Sequence, residues 1–262
     1  MNSDQIFIIG RQRSGTTVFR ELLKNEGAFD CDEIFHGDIS RPHRFYRYVL
    51  ERIAKQPALV HPQSHPALFR DYVKHLRSIA KGAPLAMDVK YFGLNVIPTR
   101  EDVDGRGPFL FNYMVESGAR VVHIVRLNKL RILVSEELSK ATGLWSVSRE
   151  EDKLTEKKPL TINPKAALTF IDAQLNQQKR VAVQLNRVSD LETIEYESMF
   201  DGDVFSEHTL QVARRSMGKQ DIDPRPGNIR MNPEPIAQLV ENFDELVAAL
   251  RGTSHEWMLT AD

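Results

Sequence analysis

Short apolar runs alternate with longer amphipathic stretches along this chain. The runs at residues 5–10, 84–92 and 120–127 are rich in apolar and β-branched residues, which is typical of buried strands in a parallel sheet. Residues 192–197, with the sequence ETIEYE, are predicted as a short fourth strand. The stretches between the runs repeat apolar residues at helical spacing. Strands that alternate with helices predict an α/β fold, with a central parallel sheet of about four to five strands flanked by helices.

The predicted helices carry signals for their ends. Thr16 and Thr17 can cap the first helix, and Gly27 offers a left-handed stop after it. Prolines suited to a first helical turn open two of the later segments. The later helical segments predicted from the apolar spacing are residues 42–56, 66–81, 108–118, 128–143, 164–188, 205–217 and 233–251.

The size of the chain favours one large domain. It has 262 residues, of which 41% are hydrophobic, and a single α/β core can reach this size. We predict one domain over residues 1–262, with a helical insert at about 36–81. Residues 146–164 include the charge-dense stretch SREEDKLTEKKP, which is either a solvated loop or a mobile cover over a site.

Charge and cysteine content exclude several classes of protein. The net charge of −1 provides no general attraction for nucleic acid, so any anion site must be built locally. Cys31 is the only cysteine, which excludes a disulfide framework and fits a reducing compartment. The first apolar run is too short for a signal peptide or a membrane span. We therefore expect a cytoplasmic protein without an integral membrane segment; no pattern predicts its oligomeric state.

The first apolar run leads into the sequence GRQRSGTT, which is close to a nucleotide-binding P-loop. The P-loop of nucleoside triphosphatases reads G-x-x-x-x-G-K-[ST], and its Lys reaches the β- and γ-phosphates. Here Thr16 follows Gly15, and the cationic residues Arg11 and Arg13 lie inside the loop. A glycine-bounded loop before a helix presents backbone N–H groups and the positive end of a helix dipole to an anion. We therefore predict a phosphate site.

A second candidate anion site follows the third apolar run. Arg126 lies at its end, and Ser135 lies nine residues later in the next helix. Ligands of parallel sheets bind beyond the carboxyl ends of the strands, so we expect Arg126 and the first loop at one edge. Two anion sites at one edge suggest a ligand with two phosphates. Alternatively, Arg126 pairs with an acid such as Glu136, and Ser135 faces a helix groove.

These segments resemble a known family. GRQRSGTTVFRELL resembles the loop that binds the 5′-phosphosulfate of 3′-phosphoadenosine 5′-phosphosulfate (PAPS) in sulfotransferases, and VVHIVRLNKLRILVSEE resembles their 3′-phosphate-binding segment. DEIF, MDVKYFGLN, IEYESMF and IRMNPEPIAQLVENFDELVAALRGT are similar to bacterial carbohydrate-type and lipid-type members. The resemblance implies a P-loop-like fold, PAPS as co-substrate, and a hydroxyl-bearing acceptor that is a glycan, a lipid or a small molecule.

The resemblance also has departures. The cytosolic small-molecule branch has Lys where Arg13 stands, and the Trp that stacks on adenine after the loop is absent, with Phe19 the nearest aromatic residue.

Roles for individual residues follow from the resemblance. Arg13 is expected at the leaving phosphate oxygen, and Arg126 and Ser135 at the 3′-phosphate, with Arg230 assisting from the carboxyl-terminal segment. Sulfuryl transfer in line needs positioning, charge neutralisation and one proton transfer, and no metal. The residues assigned to the co-substrate are Arg11, Gln12, Arg13, Ser14, Gly15, Thr16, Thr17, Arg126, Ser135 and Arg230.

The acceptor hydroxyl needs a general base. Glu33, in the DEIF segment, matches the carboxylate that family members place near the acceptor, and His36 is a second candidate; the alternative for each is a solvated or packed side chain. Lys90 ends an apolar strand, where it contacts the transferring sulfonate or pairs with a neighbour such as Asp88. His123 lies within an apolar run and is expected in the core.

Other functions and acceptors stay open. A P-loop-type kinase or nucleotide-binding protein with a degenerate loop would bind ATP with magnesium, and a non-catalytic sensor or scaffold would keep the fold without the chemistry. Trp145 either lines the acceptor pocket or packs in the core. The histidines show no metal-ligand spacing. The basic residues of the insert, which meet an anionic acceptor or form a solvated helix face, are Arg41, Arg44, Arg47, Arg52 and Arg70.

Overall fold

A central parallel sheet organises the chain. The computed structural model describes residues 4–97, 107–145, 158–227 and 232–260. Within these ranges five strands pair in parallel in the order β2–β3–β1–β4–β5, which confirms the predicted α/β fold. These strands are β1 (Gln5–Gly10), β2 (Phe29–Glu33), β3 (Leu85–Lys90), β4 (Arg120–Val125) and β5 (Asp190–Glu195), and a separate hairpin pairs β6 (Phe200–Asp201) with β7 (Val204–Phe205).

Helices connect the strands and cover both faces of the sheet. Short 3₁₀ turns supplement them at Pro57–Val60, Pro62–Ser64, Tyr91–Asn95, Tyr196–Ser198 and Glu256–Leu259. The α-helices are α1 (Thr16–Asn25), α2 (Phe45–Ile53), α3 (His65–Ala80), α4 (Phe109–Glu116), α5 (Lys129–Thr142), α6 (Pro164–Leu185), α7 (Glu207–Met217), α8 (Ile236–Leu239) and α9 (Phe243–Leu250).

Strand β1 is fully buried because it contributes to a core on each face of the sheet. Ile6 and Ile8 pack with α1 and α7, whereas Phe7 and Ile9 pack with α2, α3 and α4. Side chains alternate between the faces of a strand, so a continuous apolar run is what a strand covered on both sides requires. Each buried side chain of this size contributes about 1.5–3 kcal/mol.

A third apolar cluster lies beside the sheet. Helices α5 and α6 pack there with α8 and α9, around Leu130, Val134 and Leu246. This cluster fixes the helix that follows β4, on which Ser135 lies. The orientation of the second predicted anion site therefore depends on packing outside the sheet.

Strand β2 was not among the predicted strands. Its sequence is FDCDE, and only Cys31 within it is fully buried. The polar residues are tolerated because β2 is an edge strand and Asp30 and Asp32 pair with Arg20 of α1. An edge strand whose acids pair with a neighbouring helix lacks the apolar pattern that marked the other strands.

The segment 233–251, predicted as one helix, is divided into α8 and α9. Between them Val240 has extended backbone, with φ −123° and ψ 119°. The Leu160 N–H donates to the Leu239 carbonyl, and the Glu241 N–H donates to the Leu160 carbonyl, both at 2.9 Å. These bonds to a passing segment replace helical ones, so the helix ends there.

Candidate functional site

Three strand ends meet at the edge where the site was predicted. Gly10, the last residue of β1, is paired with Lys90 of β3 on one side and with Ile124 of β4 on the other. The first loop, Lys90 and Arg126 therefore lie at the same carboxyl edge of the sheet.

Both glycines of the first loop are required by close contacts. A Cβ atom at Gly10 would lie 2.6 Å from the Ser14 Oγ, and one at Gly15 would lie 2.7 Å from the Tyr196 ring. Gly15 also has φ +92°, which is in the left-handed region. The Ser14 hydroxyl donates to the Arg11 carbonyl at 2.6 Å and closes the loop on itself. A side chain at Gly10 would clash with the loop itself, and one at Gly15 would clash with Tyr196 and strain the backbone.

The helix that follows starts without a side-chain cap. Gly15 occupies the N-cap position of α1, so the expectation that Thr16 and Thr17 cap the helix is wrong. The first turn of a helix leaves backbone N–H groups without intrahelical acceptors, and the helix dipole adds positive potential there. This geometry is that of an anion cradle. Gln12 is half-buried in the same loop.

Lys90 lies beside the cradle, buried at 5% exposure. Its ammonium donates to both carboxylate oxygens of Asp88, at 2.7 and 3.0 Å, so the pairing with Asp88, one of the two alternatives for Lys90, is present. It also donates to the Thr16 hydroxyl and lies 3.9 Å from the Glu33 carboxylate. A cation therefore contacts the residue after Gly15, although the chain has no Lys at that position.

Glu33 is the half-buried carboxylate of this group. Within the described residues no hydrogen bond reaches its buried Oε1. Burial raises the pKa of Glu33 above its ordinary value, while the positive charge of Lys90 opposes that shift. A carboxylate with a raised pKa and an oxygen that no described residue hydrogen-bonds has properties expected of a general base.

His36, the second candidate base, has its Nδ1 occupied. Nδ1 accepts the Asp38 N–H at 3.0 Å and lies 2.7 Å from the Arg44 Nη1, which can only donate. The neutral ring therefore carries its proton on Nε2 and offers no free lone pair. The geometry favours Glu33 over His36.

Arg126 contacts the first loop directly. Its Nη1 donates to the Arg13 carbonyl at 3.0 Å, and its guanidinium lies 4.3 Å from the centre of the Tyr196 ring. The acid considered as its partner, Glu136, instead pairs with Arg11 at 2.9 Å.

The start of α5 is closed by a carboxylate. Glu197 accepts the backbone N–H groups of Leu127 and Asn128, each at 2.9 Å. The N-terminus of α5 is therefore already occupied by a negative charge. An anion that binds at this edge would contact the side chains of Arg126 and Ser135 instead.

Ser135 and Arg13 are in contact. The Arg13 Nε donates to the Ser135 Oγ at 2.9 Å, and its Nη1 donates to the Trp145 carbonyl. Asn232 donates to the same Oγ at 3.3 Å. Burial lowers the pKa of the Arg13 guanidinium from its ordinary value. The two predicted anion sites thus touch, and the Ser135 hydroxyl, which accepts both of these bonds, keeps its own proton to donate to an anion.

Other predicted residues fall in different places. Arg230 and most of the loop 146–164 lie outside the described residues. Trp145 is half exposed rather than packed in a core. His123 is buried in β4, as predicted, and its Nε2 lies 2.7 Å from the Tyr91 hydroxyl.

The basic residues of the insert have partners of their own. Arg44 is buried against Asp32 at 2.8 Å, and Arg52 lies 5.8 Å from the centre of the Tyr48 ring. The remaining ion pairs join Arg41 to Asp32, Arg47 to Glu51, and Arg70 to Glu116. Arg41, Arg47, Arg52 and Arg70 are exposed, which favours the solvated-face interpretation for these four over an anionic acceptor. Arg44 is buried in an ion pair and fits neither interpretation.

Tyr196, Glu197 and Arg20 were missed as residues that shape the site. The segment 192–197 was interpreted as a strand to its end, but β5 ends at Glu195, so Tyr196 and Glu197 turn toward the carboxyl edge. Arg20 lies on the buried face of α1 together with apolar residues such as Phe19 and Leu23. The local sequence does not show that an arginine there is buried, because the acids that pair with it lie on other elements.

The described part of the chain shows neither a metal-binding cluster nor a membrane span. In those ranges no group of three or more His, Cys, Asp or Glu side chains is arranged to hold a metal ion. None of the helices described there combines the length and the apolar character needed to cross a membrane.

Comparisons with known proteins give little further information. No family model matches the chain, and no curated protein matches it. Among solved structures, the chain is similar to the dephospho-CoA kinase from Campylobacter jejuni, with 11% sequence identity and a TM-score of 0.38 over 82% of this chain and 98% of that chain. A likeness this distant carries no conclusion about chemistry.

Proposed function

We propose that this protein is a sulfotransferase that moves the sulfuryl group of PAPS to a hydroxyl of an acceptor. One observation carries the proposal. A glycine-bounded cradle, the Lys90 cation and the half-buried Glu33 carboxylate lie together at the carboxyl edge of the sheet. The resemblance of the first loop and of the segment from Arg126 to Ser135 to PAPS-binding segments supports the same function.

The co-substrate would lie across both anion sites. The backbone N–H groups at the start of α1, with Thr16 and Thr17, would hold the 5′-phosphate, and Arg126 and Ser135 the 3′-phosphate. Arg13 now donates to Ser135, and its guanidinium would turn to the bridging oxygen between phosphate and sulfuryl group.

The reaction would proceed in line. Glu33 would accept the proton of the acceptor hydroxyl while the acceptor oxygen forms a bond to sulfur. The bond between sulfur and the bridging oxygen breaks, and its electron pair stays on the phosphate of 3′-phosphoadenosine 5′-phosphate. Lys90 and Arg13 would neutralise the charge that develops on the sulfuryl and leaving oxygens. These steps require positioning and electrostatics, as in phosphoryl transfer.

A P-loop-type kinase is the competing function. It would bind ATP with magnesium and would need a carboxylate to hold the metal directly or through water. Asp88 is the acid on the strand beside the loop, and it is engaged by Lys90 and Arg20. That pairing favours the sulfotransferase proposal, since a carboxylate between two cations is a poor metal ligand.

Ligand-induced stabilisation distinguishes the two functions. We expect 3′-phosphoadenosine 5′-phosphate at about 100 times its Kd to add about 2.7 kcal/mol to the free energy of unfolding, and so to raise the Tm by several degrees. ATP with magnesium should shift the Tm less. Arg126→Ala should reduce the shift, and Arg225→Ala, which removes an exposed arginine paired with Asp223, should leave it unchanged. A shift with ATP and magnesium alone would establish the kinase, and no shift with either ligand would favour a non-catalytic scaffold.

A further inference from the structure

Asp88 is a fully buried carboxylate between two cations. It lies on β3 two residues before Lys90, with no exposed surface. The Lys90 ammonium donates to its two oxygens at 2.7 and 3.0 Å, and the Arg20 Nη1 donates to its Oδ2 at 3.4 Å. An acid buried in this way is stabilised only while its partners stay in place.

Arg20 links Asp88 to two further carboxylates. The same guanidinium lies 3.1 Å from Asp30 and 3.2 Å from Asp32, both on β2. Arg20 therefore joins α1, β2 and β3, and the position of Asp88 is fixed by all three elements.

The Lys90 ammonium lies closer to Asp88 than to Glu33. Its ammonium also donates to the Thr16 hydroxyl, but the nearest Glu33 oxygen is 3.9 Å away. Without Asp88, the ammonium would be left beside Glu33 as the nearest carboxylate. A direct ion pair at that oxygen, Oε2, would stabilise the charged carboxylate and so oppose the proton transfer to the proposed base.

We propose that Asp88 is a positioning residue, which holds Lys90 against Thr16 and away from Glu33 so that Glu33 stays available to accept a proton. The role assigned to Glu33 rests on the proposed function, whereas the arrangement of the three side chains does not. Asp88 itself contacts neither co-substrate nor acceptor in this scheme, and it acts through Lys90.

The charges that face Glu33 determine the sign of the expected effect. Lys90 and His36 lower the pKa of Glu33, and Asp88 and Asp32 raise it, beside the larger effect of burial. Removal of Asp88 takes away a repelling charge and releases Lys90 toward Glu33. Both changes lower the pKa of Glu33, so they add rather than cancel.

The test is an isotope-edited NMR titration of glutamate side-chain carboxyl carbons in the full chain, with the Glu33 signal assigned by its absence in Glu33→Gln. Asp88→Asn should lower the pKa of Glu33 by about one unit or more, as expected when a cation comes within direct contact. The matched control is Asp30→Asn, which removes a different carboxylate from Arg20 and should leave the Glu33 titration unchanged.

A second variant gives the opposite sign and covers the case in which Asp88→Asn does not fold. Lys90→Met removes the cation but keeps Asp88, so the pKa of Glu33 should rise. An unchanged Glu33 titration in Asp88→Asn, or a pKa that fails to rise in Lys90→Met, would overturn the positioning role. The titration needs no ligand, so a protein that fails to bind 3′-phosphoadenosine 5′-phosphate would contradict the proposed function and leave this result standing.

Discussion

Two pairs of cations at the carboxyl edge of the sheet differ in their contacts within the described residues. The inner pair, Arg20 and Lys90, is buried and contacts carboxylates, with Asp88 shared between them. In the outer pair, Arg13 donates to the Ser135 hydroxyl and the Trp145 carbonyl, and Arg126 donates to the Arg13 carbonyl.

This difference separates cations that hold the fold from cations suited to a ligand. A buried ion pair is costly to break, because the remaining charge stays in a low-dielectric environment. The contacts described for Arg13 and Arg126 with the Ser135 hydroxyl and with backbone carbonyls involve acceptors without a formal charge, and a phosphate is a stronger, charge-assisted acceptor than these. We therefore expect changes to the inner pair to affect stability, with an added effect on turnover at Lys90, and changes to the outer pair to affect binding.

Glu33 lies beside the inner pair and is expected to give the largest effect on activity. Glu33→Gln keeps the size of the side chain but cannot accept the proton, so turnover should fall by about 10²- to 10⁴-fold. Binding of 3′-phosphoadenosine 5′-phosphate should not change. The measurement is kcat for any acceptor that supports transfer, with calorimetry for binding; an unchanged kcat would remove Glu33 from the mechanism.

The pH dependence of Glu33 sharpens this prediction. Its raised folded pKa means that the base form is lost as pH falls through a value above the ordinary 4.5, and activity should decline there. A carboxyl with a raised folded pKa also binds its proton more tightly in the folded state, so its contribution to stability decreases as pH rises through that range. As the pH rises from acidic to neutral, the free energy of unfolding of Glu33→Gln should therefore increase relative to that of the wild type. Urea titrations of both proteins at the two pH values would measure this difference.

Asp88 should give the largest effect on stability. Asp88→Asn leaves two buried cations without a shared counter-charge, and the free energy of unfolding should fall by about 3–5 kcal/mol. Asp71→Asn breaks an exposed pair with Lys74 and should cost at most about 1 kcal/mol. Urea unfolding at neutral pH compares the two variants. Equal losses would mean that the inner pair is no more structural than a surface ion pair.

Sequence patterns were sufficient for the strands that are covered on both faces. The run at 5–10 is continuous and apolar because β1 packs against helices on each side, so burial alone predicts it. Strand β2 lacks that signal because it carries acidic residues. Their charges are compensated by Arg20, which lies in a different element, α1. Pairing between elements is not visible as periodicity.

The site was predictable where a residue's backbone position decides its role. Gly10, Gly15 and Arg126 follow from strand ends and turn geometry, and they meet at one edge. The contact between Arg13 and Ser135 was not predictable, because it depends on how α5 packs in the third cluster and on where a long side chain turns. Contacts between side chains on different elements can be identified only once the three-dimensional fold is known.

Substitution of Arg13 tests whether the outer pair serves binding rather than stability. It has φ +66°, a left-handed conformation that costs an L-residue about 1–2 kcal/mol, so Arg13→Gly relieves strain while it removes the guanidinium. We expect a free energy of unfolding within about 1 kcal/mol of the wild type, since glycine also loses more chain entropy on folding. Affinity for 3′-phosphoadenosine 5′-phosphate should fall by about 10- to 100-fold, the loss expected for a hydrogen bond to a charged group.

Arg13→Lys is the matched variant, because it keeps the positive charge and removes the planar fork. Its affinity should lie between those of the wild type and Arg13→Gly by calorimetry. If Arg13→Gly instead unfolded as readily as Asp88→Asn and bound the bisphosphate normally, Arg13 would belong with the inner pair, and the comparison would fail.

Ser135 gives the smallest expected effect and the most specific one. Ser135→Ala removes one hydroxyl that would donate to the 3′-phosphate, so affinity for 3′-phosphoadenosine 5′-phosphate should fall by about 10-fold, equivalent to about 1.4 kcal/mol. Adenosine 5′-phosphate, which lacks the 3′-phosphate, should bind the variant and the wild type equally.

The control for Ser135 lies one turn further along α5. Ser139 is buried, and within the described residues its hydroxyl has no hydrogen-bond partner, so Ser139→Ala should change neither affinity. A loss of affinity for both nucleotides in Ser135→Ala would place its effect on the first loop, through the lost contact with Arg13. A loss confined to the bisphosphate would assign Ser135 to the second anion site, because only the 3′-phosphate distinguishes the two ligands.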